Sequence, residues 1–313
     1  MEFILLVNYL ILQLMTDPLR HFPLWTAVVT PLNDYAEVDF ESLESVLKEQ
    51  EIAGNGVLIL GSTGEGLNLN QIEKQEIVKF TKALDLVVPV MVGISGFDLE
   101  RQIKFIQFCD EYNVDAFLLV NPMYAKPGKE GQYIWFRSLM IETDTPCMIY
   151  NVPSRTGNKM SPEVPARLFN DFGNYLGLKE ASGSIEDFND FYKAEPKAPL
   201  YCGDDILIRE FIDLGAIGHV SVASNVWPKK THKYVHLALQ GNTKELFNEW
   251  VACTSLLFKA PNPIPVKSLL FHKGWINSDQ VKLPLVREDL TREIEEALIE
   301  ADRLLNMWGD FEE

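Results

Sequence analysis

The feature that most restricts the fold of this chain is a short apolar segment that recurs eight times, about 30 residues apart. Each segment is apolar almost throughout, which is typical of parallel strands with both faces covered. The strand candidates are WTAVVT (25–30), GVLIL (56–60), PVMVG (89–93), DAFLLV (115–120), PCMIY (146–150), YLGLK (175–179), PLYCG (199–203) and IGHVSV (217–222).

Helical patterns lie between the strand candidates. Residues 39–54 begin with an aspartate N-cap and end at a glycine, and residues 69–84 have the same apolar period. Eight alternating strand–helix units predict an α/β fold, a closed (β/α)8 TIM barrel. A doubly wound open sheet is the alternative. It usually has fewer strands and a glycine-rich turn after the first one, and no GxGxxG follows residues 25–30.

The strand pattern ends well before the end of the chain. We expect the barrel in residues 15–240 and a C-terminal helical region in residues 241–313, since residues 242–258 and 287–308 have helical periodicity. The segment PNPIPVK (261–267) is expected to interrupt these helices, because it is rich in proline and asparagine.

The first 14 residues are an apolar extension. They are fewer than the roughly 20 residues that span a bilayer, and they lack the basic segment and cleavage site of a secretory signal. We therefore expect the native chain to start at Met15. A hydrophobic anchor or an added helix is the alternative.

The charge and the cysteines restrict the partners and the compartment. A formal charge of -17, from 28 basic and 45 acidic residues, repels polyanions and argues against nucleic acid as a partner. A small anionic substrate stays possible, because a few local cations can dominate inside a pocket. The four cysteines form no CxxC pair, so neither zinc nor disulfides are expected and a reducing cytoplasm fits best.

Polar motifs follow five of the strand candidates, where a parallel barrel places its active site. They are GSTGEG (61–66), NPMYAKP (121–127), YNVPSRTG (150–157), KEASG (179–183) and GDD (203–205).

Lys179 closes the sixth strand candidate and should point into the barrel mouth, where burial with few carboxylate neighbours would lower its pKa. A lysine amine with a lowered pKa is a nucleophile toward carbonyl carbon. The structural alternative is a lysine that extends to solvent or pairs with Glu180. The GSTGEG segment offers backbone N–H groups and the hydroxyls of Ser62 and Thr63, which predict a carboxylate-binding turn. An ordinary turn is the alternative there.

Tyr150 ends the fifth strand candidate, one strand–helix unit before Lys179, so both side chains can converge on one reacting carbon. A tyrosine in that place can transfer protons while an imine forms, and its alternative is an aromatic residue of the barrel core. Arg155 follows on a Pro-Ser-Arg turn and suits a substrate carboxylate, unless it is a solvated surface arginine.

Taken in order, GSTGEG, YNVPSRTG, GLKEASG, GDD and PNPIPVK resemble the dihydrodipicolinate synthase family, from about Trp25 to residue 267. YNVPSRTG and PNPIPVK are the specific motifs. The wider family includes N-acetylneuraminate lyase and keto-deoxy-sugar-acid aldolases. The resemblance implies a Schiff-base-forming class I aldolase, a lyase that condenses pyruvate with L-aspartate 4-semialdehyde to 4-hydroxy-tetrahydrodipicolinate in lysine and diaminopimelate biosynthesis. It implies no metal and no organic cofactor.

The resemblance also implies roles for individual residues. Lys179 would form the imine with pyruvate, and Thr63 with the adjoining backbone would hold the pyruvate carboxylate. Tyr150, Ser62 and Tyr124 would form a proton relay, in which Tyr124 reaches in from a neighbouring subunit.

Three further residues are implied to contact substrate. Arg155 would bind the carboxylate of aspartate semialdehyde, and Gly203 and Val220 would line the pyruvate pocket. The shared tyrosine implies a tight homodimer, usually paired into a homotetramer. No membrane partner is expected.

The sequence departs from the family pattern at two places. Ser62 stands where the family commonly has threonine, and its hydroxyl keeps the relay chemically possible. Met123 replaces the first of two paired tyrosines. The positions that would form an allosteric lysine site are Gly66, Leu67, Gln71, Lys74, Phe97 and Arg101. Because Phe97, Arg101 and Met123 cannot accept hydrogen bonds from an ammonium group, we predict that free lysine does not inhibit this protein.

Two other functions remain open from the residues. The nearest alternative is a sibling pyruvate-dependent lyase that acts on a sugar acid. The hydroxyl groups of such a substrate would be bound by hydroxyl and amide side chains rather than by the guanidinium of Arg155. A barrel that binds a keto acid without turnover is the other, because a fold alone does not prove activity.

Overall fold

Eight parallel strands form the centre of the molecule in the computed structural model, which describes residues 19, 22–243 and 246–308. The expectations for residues 1–14 and for a start at Met15 lie outside the described residues. The strands are β1 Leu24–Ala27, β2 Gly56–Ile59, β3 Val90–Ile94, β4 Ala116–Val120, β5 Cys147–Asn151, β6 Tyr175–Glu180, β7 Leu200–Cys202 and β8 Gly218–Ser221.

The strands pair in sequence order and close on themselves. Strand β1 pairs in parallel with β2 on one side and with β8 on the other, where Trp25 lies opposite Val220. The predicted closed (β/α)8 barrel is confirmed. The doubly wound sheet is excluded, because an open sheet has two edge strands and here every strand pairs with a neighbour on both sides.

Eight helices accompany the strands up to β8 in the described part of the chain. They are α1 Phe40–Ala53, α2 Gln71–Ala83, α3 Leu99–Glu111, α4 Lys129–Met140, α5 Pro153–Thr156, α6 Glu163–Asp171, α7 Ile185–Ala194 and α8 Ile208–Asp213.

Helix boundaries follow local capping signals. Asp39 accepts a hydrogen bond from the Ser42 backbone N–H at the start of α1 (3.1 Å), and Gly54 ends that helix in the left-handed conformation (φ 73°). Asn70 and Glu73 form a reciprocal capping box at the start of α2. Short-range sequence therefore sets where α1 and α2 begin and where α1 ends.

Four more helices follow β8 in the described residues, which confirms the predicted helical extension. They are α9 Pro228–Leu239, α10 Phe247–Leu256, α11 Ile264–His272 and α12 Arg292–Asn306. The expectation that the whole of residues 261–267 interrupts the helices is wrong. Only the part before Ile264 does so, because Pro265 lies in the first helical turn, where a missing N–H leaves no hydrogen bond unmade.

The apolar core has two layers. One layer fills the barrel interior with side chains such as Trp25, Leu58, Met148 and Tyr201. The other lies between the strands and the surrounding helices. The barrel interior is closed by these side chains, so the carboxyl ends of the strands form the floor of the site described next. Among the described residues, no helix has both the length and the apolar character needed to cross a membrane.

Candidate active site

Lys179 lies in β6 between Tyr150 of β5 and Tyr201 of β7, its register partners. The two tyrosines belong to the inner layer of the core, so the lysine points to the inside of the barrel as well. Only 4% of the residue is exposed, and burial lowers the pKa of Lys179 to about 8. About a tenth of the amine is therefore neutral at pH 7, against less than about a thousandth for an ordinary lysine with a pKa near 10.4. The neutral amine is the nucleophilic form.

The amine of Lys179 opens into a cavity of about 420 Å³ at the carboxyl ends of the strands. The lining residues are Ser62, Thr63, Tyr150, Val152, Ser154, Arg155, Lys179, Ala181, Gly203, Asp204, Ile206, Val222, Ser255, Phe258, Lys259 and Asn262. Six of the eight residues singled out from the sequence are thus brought together within one chain: Lys179, Tyr150, Ser62, Thr63, Arg155 and Gly203.

Tyr150 is the aromatic neighbour of the nucleophile. The Lys179 Nζ lies 4.4 Å from the centroid of its ring. Burial raises the pKa of Tyr150, while Arg155 and a side-chain hydrogen bond with Ser62 oppose that shift. The phenol therefore keeps its proton at neutral pH and can exchange it with a hydroxyl next to it, as a relay requires.

The GSTGEG segment follows β2 as a tight turn. The Glu65 N–H donates to the Ser62 carbonyl (3.2 Å), and the Gly66 N–H donates to the Gly61 carbonyl (3.1 Å). Thr63 is buried, and its Oγ1 accepts a hydrogen bond from Asn262 Nδ2 (2.9 Å). Because the amide is the donor in that contact, the proton of the Thr63 hydroxyl remains available for a substrate oxygen.

Arg155 stands at the mouth of the cavity on α5, the four-residue helix that follows β5. Within the described chain, no carboxylate forms an ion pair with its guanidinium. Its positive charge lowers the pKa of both Lys179 and Tyr150, although burial is the larger influence on each. A planar cation without a protein partner can receive a carboxylate with two hydrogen bonds.

Gly203 leaves the space that the lysine needs. A Cβ atom at this position would lie 2.7 Å from the Cβ of Ala181 and 3.0 Å from the Cε of Lys179. Any larger residue would therefore push against the nucleophile. The glycine of the GDD turn is required by packing, and its φ is not in the left-handed region.

Two of the predicted site residues lie elsewhere. Tyr124 is 86% exposed, with a φ of 65°, and does not line the cavity that contains Lys179. Val220 is fully buried in the inner core layer, and Val222 lines the cavity instead.

Sequence reasoning missed Asn262, which holds Thr63, and Lys259 at the rim of the cavity. The PNPIPVK motif drew attention to the segment that contains Asn262. The motif does not indicate that Asn262 contacts Thr63.

A second cavity of about 320 Å³ adjoins the first and shares Ser62, Tyr150, Val152, Arg155 and Asn262 with it. Its other walls are largely apolar, with Leu118, Val120, Met123 and Leu285 among them. No group of three or more His, Cys, Asp or Glu side chains in the described part of the chain is placed to hold a metal ion. The chemistry available here is that of the amine, the hydroxyls and the guanidinium.

The fold and this cavity define the class of protein: a (β/α)8 barrel with a buried lysine amine in a cavity at the carboxyl ends of its strands. Similarity to known proteins identifies the family within this class. The dihydrodipicolinate synthetase family matches residues 22–301. A 4-hydroxy-tetrahydrodipicolinate synthase of Francisella tularensis subsp. novicida is 44% identical over 286 residues, which cover 91% of this chain and 96% of the relative. One from Wolbachia pipientis subsp. Culex pipiens is 37% identical, covering 92% and 97%.

Solved structures of similar fold belong to the same family. Dihydrodipicolinate synthase from Thermotoga maritima has a TM-score of 0.85 and 30% identity, covering 91% of this chain and 99% of its own. The enzyme from Cyanidioschyzon merolae with lysine bound also has a TM-score of 0.85, with 31% identity and coverage of 91% and 98%. The chain therefore belongs to the dihydrodipicolinate synthetase family and is an enzyme of the lyase class, which confirms the predicted family.

Proposed function

We propose that this enzyme condenses pyruvate with L-aspartate 4-semialdehyde to 4-hydroxy-tetrahydrodipicolinate, in lysine and diaminopimelate biosynthesis. The observation that carries the proposal is the buried Lys179 amine, with a pKa lowered to about 8, in a cavity whose mouth holds the unpaired Arg155. The name shared by relatives that match nearly the whole chain supports the same reaction.

The first half of the reaction uses the floor of the cavity. The neutral amine of Lys179 attacks the keto carbon of pyruvate, and the resulting carbinolamine loses water to give the imine. The Tyr150 hydroxyl, with Ser62 beside it, supplies the proton that leaves with the water. Thr63 and the N–H groups of its turn hold the pyruvate carboxylate, and Gly203 shapes the pocket around the methyl group, while Val220 packs in the layer of side chains beneath it.

The second half uses the mouth of the cavity. The Tyr150 oxygen, which has given up its proton, takes a methyl proton from the imine, and the enamine carbon that forms attacks the aldehyde carbon of the second substrate, whose oxygen receives that proton. The amine of the second substrate then attacks the imine carbon, which closes the ring and releases Lys179 as a free amine. Arg155 binds the carboxylate of that substrate and thereby orients its aldehyde over the enamine. A site with a free guanidinium favours a short amino acid aldehyde over a polyhydroxylated sugar acid, which distinguishes this reaction from those of sibling lyases.

Assembly and location complete the proposal. The exposed Tyr124 joins the relay of a second copy of the chain, so the working enzyme is a homodimer or a homotetramer. The reaction involves no metal, organic cofactor, nucleic acid or membrane partner. The four cysteines are free and buried, which fits a cytoplasmic enzyme.

The test is mass spectrometry after borohydride reduction in the presence of pyruvate, followed by turnover of aspartate semialdehyde, with a Lys179→Ala variant as the control. We expect an adduct of pyruvate mass on Lys179, its loss in the variant, and turnover by the unchanged protein. An adduct without turnover would instead indicate a sibling lyase. Absence of any adduct would leave Lys179 a structural residue and refute the proposal.

A further inference from the structure

Asp205 and His219 form a fully buried pair behind the wall of the active site. Asp205 follows β7 in the GDD turn and is 1% exposed, and His219 lies in β8 and is 0% exposed. The His219 Nε2 lies 2.8 Å from the Asp205 Oδ1, and its Nδ1 lies 2.8 Å from the carbonyl oxygen of Cys202. Neither residue lines the cavity that contains Lys179.

Asp205 accepts hydrogen bonds at both carboxylate oxygens. Its Oδ1 also receives the Ser221 hydroxyl (2.5 Å), and its Oδ2 receives the backbone N–H groups of Val222 (2.9 Å) and Ala223 (3.1 Å). The Ser224 N–H donates to the Ser221 oxygen (2.9 Å), which directs the hydroxyl proton toward Asp205.

The protons of this pair can be counted from geometry. A backbone carbonyl only accepts, so the Nδ1 of His219 must carry a hydrogen. One further proton lies between Nε2 and Oδ1. Without it, the lone pairs of this nitrogen and this oxygen would face each other at 2.8 Å and repel. Whether that proton is assigned to the imidazole or to the carboxyl group, the pair has a net charge of zero.

The net charge of the pair matters because Lys179 lies close to the GDD turn: a Cβ atom on Gly203, two residues before Asp205, would lie 3.0 Å from the Cε of Lys179. Burial is the main influence that lowers the pKa of Lys179; Asp205 acts to raise it, Arg155 to lower it, and the Cys202 thiol to raise it. An uncompensated buried carboxylate beside the amine would favour the ammonium form, which cannot attack a carbonyl carbon.

Asp204 and Trp250 also lie next to the pair. Asp204 is next in the turn, and burial raises its pKa, with Asp205 acting in the same direction and His219 against it. From α10, Trp250 donates its indole N–H to the Asp205 backbone oxygen (2.8 Å) and carries no charge. His219 is therefore the only cationic partner that the described hydrogen bonds give to Asp205.

We propose that His219 is a positioning residue for the reaction, which cancels the charge of Asp205 and thereby favours the neutral, nucleophilic form of the Lys179 amine. The inference rests on the proposed role of Lys179 as the imine-forming residue. It assigns a function to a histidine that touches no substrate.

The test compares the pH dependence of imine formation with pyruvate, trapped by borohydride, in the wild-type enzyme and in His219→Gln. Glutamine can still donate one hydrogen bond to Asp205 but brings no proton to neutralise it. We expect the midpoint of the profile to rise by about one pH unit in the variant, so that imine formation below the midpoint is about tenfold slower. An unchanged midpoint overturns the proposal.

Two further variants separate charge from packing. Ser221→Ala removes a hydrogen bond to Asp205 but leaves the pair neutral, so its midpoint should stay at the wild-type value. Asp205→Asn/His219→Gln replaces the pair by two neutral amides and should return the midpoint to that value. A shift in Ser221→Ala equal to that in His219→Gln, or a double variant that stays shifted, refutes the charge argument.

A measurement on the unaltered enzyme covers the case in which His219→Gln does not fold. In protein labelled with 15N-histidine, NMR should show a hydrogen on the Nδ1 of His219 and a proton shared at its Nε2. A ring with a bare Nε2 beside an ionised Asp205 overturns the proposal. If the wild-type enzyme forms no pyruvate adduct, the proposed function fails first, and the inference falls with it.

Discussion

At the scale of single residues, the burial of Lys179 destabilises the fold in order to keep the amine reactive. The pKa of Lys179 is about 8 in the folded protein, against roughly 10.4 for an unfolded lysine. As the pH falls from above 10 to 8, the unfolded chain binds a proton that the folded chain does not. The free energy of unfolding therefore decreases across that window and stays lower at more acidic pH.

Replacing Lys179 by methionine should consequently stabilise the protein. We expect the free energy of unfolding at pH 7 to rise by on the order of 2 kcal/mol, with the gain disappearing near pH 11, where the lysine is neutral in both states. Urea unfolding of both proteins at pH 7 and pH 11 measures this difference in the free energy of unfolding. A variant that is less stable at pH 7 would show that contacts of the lysine outweigh the burial of its charge.

Arg155 offers a prediction about substrate binding. In Arg155→Met we expect KM for aspartate semialdehyde to rise by about 10- to 100-fold, since one charge-assisted contact contributes roughly 1.5–3 kcal/mol. The pyruvate adduct on Lys179 should still form, because the guanidinium contacts only the second substrate. Steady-state kinetics and borohydride trapping separate the two steps. Arg167→Met is the matched control, since that arginine pairs with Glu130 on the surface.

At the scale of elements, a buried ion pair ties α11 to the turn that follows β2. The Nζ of Lys267 donates to a carboxylate oxygen of Glu65, and both side chains are almost completely buried. Lys267 also donates to the Gln280 carbonyl (2.8 Å), and Glu65 accepts from the Lys282 backbone N–H (2.6 Å). The C-terminal helices thus hold the turn that carries Ser62 and Thr63, although α11 contributes no atom to the reaction.

Breaking this pair on one side should be costly. We expect Lys267→Met to lower the free energy of unfolding by about 3–5 kcal/mol, because it leaves the Glu65 carboxylate buried without a cation. Lys267→Met with Glu65→Leu should regain most of that loss. The control is Lys282→Met, which removes a more exposed ion pair with Glu73 and should change stability by about 1 kcal/mol or less. Equal losses in all three variants would contradict the argument.

At the scale of the whole molecule, the exposed Tyr124 leads to a test of shared active sites. If Tyr124 acts in a neighbouring subunit, Tyr124→Phe and Lys179→Ala should each be nearly inactive. After the two variants are unfolded and refolded together, mixed dimers contain one intact site of two. The mixture should recover about one quarter of the wild-type activity. No recovery, with mixed dimers present, would place the tyrosine outside the relay.

Regulation by free lysine is the second prediction for the whole molecule. Phe97 is 68% exposed, and the Arg101 Nε lies 3.2 Å from the Asp98 carboxylate. Neither side chain offers an acceptor to an ammonium group. We therefore expect activity to be unchanged at millimolar lysine, measured at subsaturating pyruvate. Clear inhibition would show that other residues form a lysine site.

The sequence by itself determined the elements and the candidate residues of the site. Continuous apolar strands repeated at a regular spacing suffice for a closed barrel, and caps such as Asp39 and Gly54 lie within a turn of the helices they end. Lys179, Tyr150 and Arg155 could be named because each follows or ends a strand, and parallel strands bring all such positions to one end of a barrel.

Only the tertiary structure decided which side chains meet across the closed barrel. Asn262 contacts Thr63 over 199 residues, Lys267 contacts Glu65 over 202, and His219 finds Asp205 from the neighbouring strand end. These contacts depend on how helices and turns pack after closure, and no local periodicity records that packing. Burial likewise depends on the whole fold, so the lowered pKa of Lys179 and the contact between Asp205 and His219 exist only once the barrel has formed.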